Sequence, residues 1–252
     1  MSEQKVVKVA ISIPNMGYTD APAYANRLVN MLHLGKLEQR GLSENHPTRF
    51  EFYFSVIGRV FTPVARDAAV DLAIESGCDY LYMIDDDMIC PDDMFEQLYR
   101  HDVDIVAPLA FTRNPPHHPV IYHCVEGYDP VSKKDYFINT NVMNYPKDKL
   151  VECDAVGFGA VLIKREVFIK LGKKAFMSTC GTGEDILFCY KAKKAGFKIY
   201  MDTACKLGHL GQRVNVTEEY VEQYRGVNGY NKDQYYDYST KGGDGKAKYV
   251  TA

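Results

Sequence analysis

Three consecutive carboxylates, Asp85, Asp86 and Asp87, end the apolar run at residues 80–84. Like charges packed together cost free energy unless a cation or several hydrogen-bond donors balance them. A hard divalent ion, Mn²⁺ or Mg²⁺, balances them economically, because such ions take one or two carboxylates and fill their other positions with water and phosphate oxygens. On an extended segment Asp85 and Asp87 point to one side and Asp86 to the other. The competing reading is a solvated acidic turn that continues into Pro91-Asp92-Asp93. An EF-hand is disfavoured, since Cys90 rather than glycine holds the sixth place counted from Asp85.

A second acidic pair, Glu184 and Asp185, follows Gly181-Thr182-Gly183 where helical periodicity begins. A carboxylate in a first helical turn beside a cleft is placed to act as general base towards a hydroxyl. Capping of that turn by Thr182 or Asp185 is the plainer alternative. His209, in Gly208-His209-Leu210-Gly211, is placed to ligate a metal as a neutral imidazole. His117, His118, His123 and Cys124 match no standard zinc spacing.

These groups act together only if a scaffold gathers them. Residues 6–14 form a Val/Ile-rich run that stops at Pro14-Asn15-Met16-Gly17, which predicts a buried strand and a tight loop. Tyr24, Leu28, Met31, Leu32 and Leu34 recur at helical spacing and predict the apolar face of an amphipathic helix ending near Gly41. A strand at 50–57, a helix at 63–76 before Gly77, a strand at 80–84, a helix at 91–101 and a strand at 104–107 follow. This alternation predicts a single α/β domain with a mostly parallel sheet flanked by helices. Residues 112–150, rich in Pro and Asn, read as inserted loops and small strands. A strand at 151–164 broken by Gly157 and Gly159, helices at 165–171 and 184–195, and a strand at 197–201 complete the pattern. The organisation is a catalytic domain at 1–211 and a Tyr-, Lys- and Gly-rich tail at 212–252.

Composition sets bounds. Apolar residues are 46% and charged residues 25%, which excludes a disordered chain. The net charge of -3 offers no global field for a polyanion. No apolar run approaches the roughly 20 residues that span a bilayer, and no signal peptide is read at the N-terminus. Seven scattered cysteines without a CxxC pair point to a reducing, cytoplasmic location.

In their order along the chain these segments resemble the GT-A fold glycosyltransferases, most closely the family 2-like nucleotide-sugar transferases, of the stand-alone soluble type found in phages and bacteria. The pieces that match are Ile13-Pro-Asn-Met-Gly17, Ala65-Arg66-Asp67, Asp85-Asp86-Asp87 as the family's DxD motif, residues 156–165, Gly183-Glu-Asp-Ile-Leu187 and His209. The resemblance implies a Rossmann-like GT-A sheet and transfer of a sugar from a nucleotide-diphosphate donor, a UDP-sugar, with inversion. It places Pro14, Met16 and Gly17 at the base and Arg66 at base or phosphate. Asp85 and Asp86 fall at the donor, with Asp85 on the ribose or the metal. Asp87 becomes the chief ligand of Mn²⁺ or Mg²⁺, and His209 a further ligand of the metal or the phosphate. Gly157 and Gly159 form the floor beneath the sugar, and Asp185 is the base with Glu184 as its alternate. Asp67 departs from the family's usual Asn. The acceptor is a glycan, a protein or a modified DNA base such as a hydroxymethylated one; Tyr235, Tyr236 and Tyr238 with Lys232, Lys241, Lys246 and Lys248 offer stacking and charge for it. A sugar nucleotidyltransferase and a non-catalytic nucleotide- or sugar-binding module are the alternatives.

Overall fold

Continuous Val/Ile runs belong in a strand covered on both faces, and Val6–Asn15 is such a strand, β1, at the heart of the computed structural model. The structure describes residues 5–15, 17–42, 48–131, 133–177, 182–211, 215–228 and 236–237. The chain continues through α1 (Ala21–Arg40), β2 (Arg49–Gly58), α2 (Thr62–Glu75), β3 (Tyr80–Ile84), β4 (Met88–Ile89), α3 (Met94–Arg100) and β5 (Ile105–Leu109). The long strands β6 (Ile121–Asp129) and β7 (Lys134–Asn144) come next, then β8 (Leu150–Cys153), β9 (Ala155–Val156) and β10 (Ala160–Lys164). After α4 (Arg165–Leu171) and α5 (Glu184–Lys194) come β11 (Ile199–Lys206), β12 (Gly208–Leu210), β13 (Asn215–Val216), α6 (Glu218–Asn228) and β14 (Tyr236–Asp237).

The central sheet has seven strands in the order β2-β1-β3-β10-β5-β11-β8, with β10 and β8 antiparallel to their neighbours. Side chains alternate across it. Val7, Val9, Ile11, Tyr82, Ile84 and Leu162 face one core with α1 and α3, while Ala10, Leu81, Met83, Val161 and Ile163 face the other with α2, α4 and α5. Helices therefore cover both faces, as the alternating pattern predicts.

Three expectations are corrected. The buried stripe of α1 is Ala23, Arg27, Asn30, Leu34 and Leu37; Tyr24, Leu28 and Leu32 are exposed. Polar side chains turn inward because the loop after β3 needs hydrogen-bond donors. The insertion read as loops and small strands contains the 9-residue β6 paired with the 11-residue β7. These join β9 and β14 in a second sheet. Residues 151–164 are not one broken strand: β8 lies at the edge of the main sheet, β9 in the second sheet, and β10 runs antiparallel between β3 and β5. The described part of the tail docks on the body, with Val216 and Val221 buried in the main core.

Candidate functional site

The acidic triplet leaves the carboxyl end of β3, the edge of an α/β sheet where ligands bind. Asn15 at the end of β1, the loop after β5 and His209 beyond β11 reach the same edge. Residues 85–87 form a turn, with Met88 N–H directed to Asp85 O at 3.4 Å, rather than an extended segment. The side-by-side alternation expected of an extended chain therefore does not apply, and each acid acquires its own partners.

α1 supplies the frame for this turn. The Arg27 guanidinium donates to Asp85 O at 2.9 Å, Asn26 exchanges hydrogen bonds with the backbone of Cys90, and Asn30 donates to Pro91 O. Buried backbone carbonyls need such donors. From the other side, Gly159 O accepts from Asp85 N at 2.8 Å. A Cβ on Gly159 would strike Met88 and one on Gly157 would lie 2.8 Å from Val120 Cβ. The fixed Val120 Cβ thus explains Gly157, whereas the Met88 methyl beside Gly159 ends a flexible side chain.

Asp85 faces inward. Both its oxygens lie 3.2 Å from Arg66 Nη2, and the same guanidinium reaches Glu184 Oε1 and Phe158 O at 3.2 Å each. Arg66, on α2, is 3% exposed. Burial pushes the Asp85 carboxyl up to about 7 against the pull of Arg66. Asp185, beside Glu184 in the first turn of α5, is likewise raised by burial and by the Glu184 charge. Its Oδ1 accepts the Ile186 N–H at 2.7 Å.

Asp86 turns away and accepts from Asn15 Nδ2 at 2.8 Å; Asn15 Oδ1 in turn accepts Gly17 N–H, which holds Gly17 at a φ of +105°. Asp87 faces the rim. Its Oδ2 lies 2.8 Å from Arg113 Nη2 and 3.3 Å from His209 Nε2. Burial works against ionisation there, but His209 and Arg113 win and hold the Asp87 carboxyl below its usual range. His209 is brought in by the sheet β13-β12-β4, in which His209 pairs with Met88 and Leu210 N–H donates to Asp87 O.

Of the residues read as metal ligands, Asp87 and His209 meet and Asp85 is instead engaged by Arg66. Among the described residues no group of three or more His, Cys, Asp or Glu side chains is gathered to hold an ion. The donor set nevertheless fits a hard or borderline cation. His209 Nδ1 is bonded to Phe111 O at 2.8 Å; since a carbonyl only accepts, that nitrogen carries a proton and Nε2 is the one that faces Asp87. With a proton Nε2 donates to Asp87 Oδ2, and without it the two atoms would be a pair of ligands to one cation. Their 3.3 Å separation is close to the roughly 3.0 Å between neighbouring ligands of an octahedral ion bound at about 2.1 Å.

Pro14 is buried in β1 and Met16 lies outside the described residues. Asp67 supports structure: its Oδ1 accepts Phe176 N–H at 3.0 Å, and burial raises its carboxyl. Asn15, Asn26, Arg27 and Arg113 escaped the sequence reading. Polar residues 26, 27 and 30 on one side of a helix were the available signal for the α1 frame; no local signal marks Arg113. Of the tail residues proposed to meet an acceptor, Tyr236 falls in β14, where its backbone alone is described, and the others lie outside the described residues. The described cysteines Cys78, Cys90, Cys124, Cys153, Cys189 and Cys205 are free thiols. No described helix is long and apolar enough to cross a membrane.

No protein-family model matches the sequence, and no curated protein matches it significantly. Among solved structures the chain is similar to A197 from STIV, with a TM-score of 0.54 and 19% identity over 84% of this chain and 91% of that one. It is also similar to GalNAc-T7 with UDP, GalNAc and Mn²⁺ (TM-score 0.48, 14% identity, 82% of this chain and 44% of that chain). A third similarity is to the catalytic domain of Drosophila beta1,4galactosyltransferase 7 complexed with xylobiose (TM-score 0.45, 17% identity, 89% of this chain and 82% of that chain). The chain spans less than half of the GalNAc-T7 structure. With five parallel strands, an antiparallel β10 inserted beside β3 and an acidic turn at the β3 end, this chain has the GT-A fold.

Proposed function

We propose that this protein is a metal-dependent glycosyltransferase that moves a sugar from a UDP-sugar to an acceptor hydroxyl with inversion. The observation that carries the reading is the division of one acidic edge into two environments. Asp87 and His209 present paired donors at the rim, and Asp185 and Glu184 stand over the buried Arg66. Asp87 and His209 would hold Mn²⁺ or Mg²⁺. When bound, the ion would offset negative charge on the departing diphosphate.

The protein's own residues do the rest. Asp185 takes the acceptor proton as the acceptor oxygen bonds to the anomeric carbon and the bond from that carbon to the diphosphate breaks, releasing UDP. Its raised affinity for a proton makes it a stronger base than a solvated carboxylate. Arg66 keeps Glu184 and Asp85 in place beneath it. Asn15 orders the loop at Gly17, on the side assigned to the base.

Incubation with a panel of nucleotide sugars and Mn²⁺ tests the reading by nucleotide release. UDP is expected from one donor, abolished by chelator and reduced at least about 100-fold in Asp87→Ala and Asp185→Asn. Release of pyrophosphate in its place would identify a nucleotidyltransferase. No release and no thermal shift with any nucleotide would identify a non-catalytic module. A product with retained anomeric configuration by NMR would remove Asp185 as the base of an inverting reaction.

A further inference from the structure

One loop brings Asp87 two of its partners. Phe111 O fixes the His209 ring, and Arg113, two residues on, carries the guanidinium at 2.8 Å. The loop is closed at its base by a bridge between Phe111 and Pro119 and by hydrogen bonds from Thr112 N–H to His118 O at 2.8 Å and from His118 N–H to Thr112 Oγ1 at 2.9 Å. Beneath it, His117 is 2% exposed and packs edge-on against Tyr220 and Tyr224 of α6, with ring centres 5.3 and 5.0 Å away. The backbone under Arg113 is therefore held, while the Arg113 side chain is 51% exposed. It can leave Asp87 by rotating its own bonds alone. Arg66 has no such freedom at 3% exposure. On this turn Asp85 is held by the buried Arg66 and Asp86 accepts from Asn15, while the cation on Asp87 is solvated and exchangeable.

We propose that Arg113 is the resting counter-ion of Asp87 and the anion-binding arm of the site: a divalent cation replaces it on Asp87, and the released guanidinium engages the diphosphate of the nucleotide. This rests on the metal and nucleotide-diphosphate reading above. The chemistry favours an exchange over a shared site, because two cations on one carboxylate repel each other. A guanidinium, always charged and forked, also matches two phosphate oxygens at once. The exchange makes ion and nucleotide binding cooperative: the ion alone must displace Arg113, whereas with nucleotide present the displaced arm gains a new partner. The α6 clamp positions the arm so that it swings from a fixed root.

Binding of Mn²⁺ alone, followed by electron paramagnetic resonance, and of UDP at saturating Mn²⁺, followed by calorimetry, tests this on the full chain without turnover. Arg113→Ala is expected to bind Mn²⁺ alone about 3- to 10-fold more tightly, by loss of the competing cation, and UDP at least about 10-fold more weakly. Arg113→Lys should recover part of the UDP affinity. Urea unfolding verifies that each variant is folded. Mn²⁺ affinity unchanged or weakened in folded Arg113→Ala, or UDP affinity unchanged, overturns the proposal while leaving the metal reading intact. Wild-type protein that binds neither Mn²⁺ nor UDP, or Asp87→Ala that binds both as wild type does, overturns the underlying reading and this inference with it.

Discussion

Asp85 and Asp87 stand two residues apart on one turn, yet they belong to different electrostatic regions. The inner region places Asp85, Glu184 and Asp185 around a guanidinium that is 3% exposed, and burial raises the Asp85 and Asp185 carboxyls. The rim region places Asp87 against His209 and a half-exposed Arg113, and holds its carboxyl down. A buried charge with fixed partners is costly to remove and slow to rearrange, so it suits positioning and proton affinity. A rim charge whose partner is solvated exchanges that partner at small cost, so it suits binding of ions and charged ligands. The turn thus serves both tasks by giving neighbouring acids opposite surroundings.

The sharpest way to break this contrast is to remove the two arginines. Arg66→Met leaves three carboxylates without their buried cation, and a loss of about 3–5 kcal/mol of stability is expected by urea unfolding. Arg113→Ala should stay within about 0.5 kcal/mol of wild type. Comparable losses in both would mean that the inner and rim regions are one network.

A smaller effect sharpens the inner region alone. Asp185 must be ionised to act as base, and its carboxyl is raised by burial and by Glu184. The rate of UDP release at saturating Mn²⁺ should therefore fall, on acidification, at a pH above the ordinary carboxylate range. Glu184→Gln removes a neighbouring negative charge, and the acid limb should move to lower pH. A limb that Glu184→Gln leaves in place would disconnect Glu184 from the base.

The contrast between the regions was only half legible in the sequence. The alternating strands and helices of the first 110 residues were, because Val/Ile runs and turn glycines are local signals; β3 there, and α4 later, match their expected ranges residue for residue. The convergence of residues 85–87, 184–185 and 209 was read from order along the chain, and the sheet does gather them at one edge. Orientation was not legible. Periodicity placed Tyr24, Leu28 and Leu32 on the helix face that packs, whereas the unmet carbonyls of the turn draw Arg27 and Asn30 inward. Whether Asp85 meets a metal or an arginine depends on Arg66, 19 residues away, and nothing in the triplet itself encodes that choice. Arg113 was missed for the same reason, since its role comes from a loop whose root is packed against a helix more than 100 residues later.

A third carboxylate tests whether partner identity alone decides these behaviours. Asp154 lies away from the turn, where it accepts from the Cys124 N–H at 2.9 Å, sits 2.6 Å from His123 Nδ1 and pairs with Lys193. Burial opposes its ionisation, but the His123 and Lys193 contacts prevail and its carboxyl is held well below the usual range. Its side chain is 15% exposed, as enclosed as the acids of the site. In the unfolded chain the same carboxyl takes up a proton at a higher pH, so its contribution to stability is complete above the ordinary carboxylate range and is lost as pH falls towards the folded-state value. Asp154→Asn should therefore cost on the order of 1–2 kcal/mol near neutrality, shrinking at pH 3–4, with UDP release unchanged. Equal losses at both pH values would assign the residue's role to hydrogen bonding rather than charge. A fall in UDP release with stability kept would extend the site along β6 to Asp154, and the division into inner and rim regions would then need a third member.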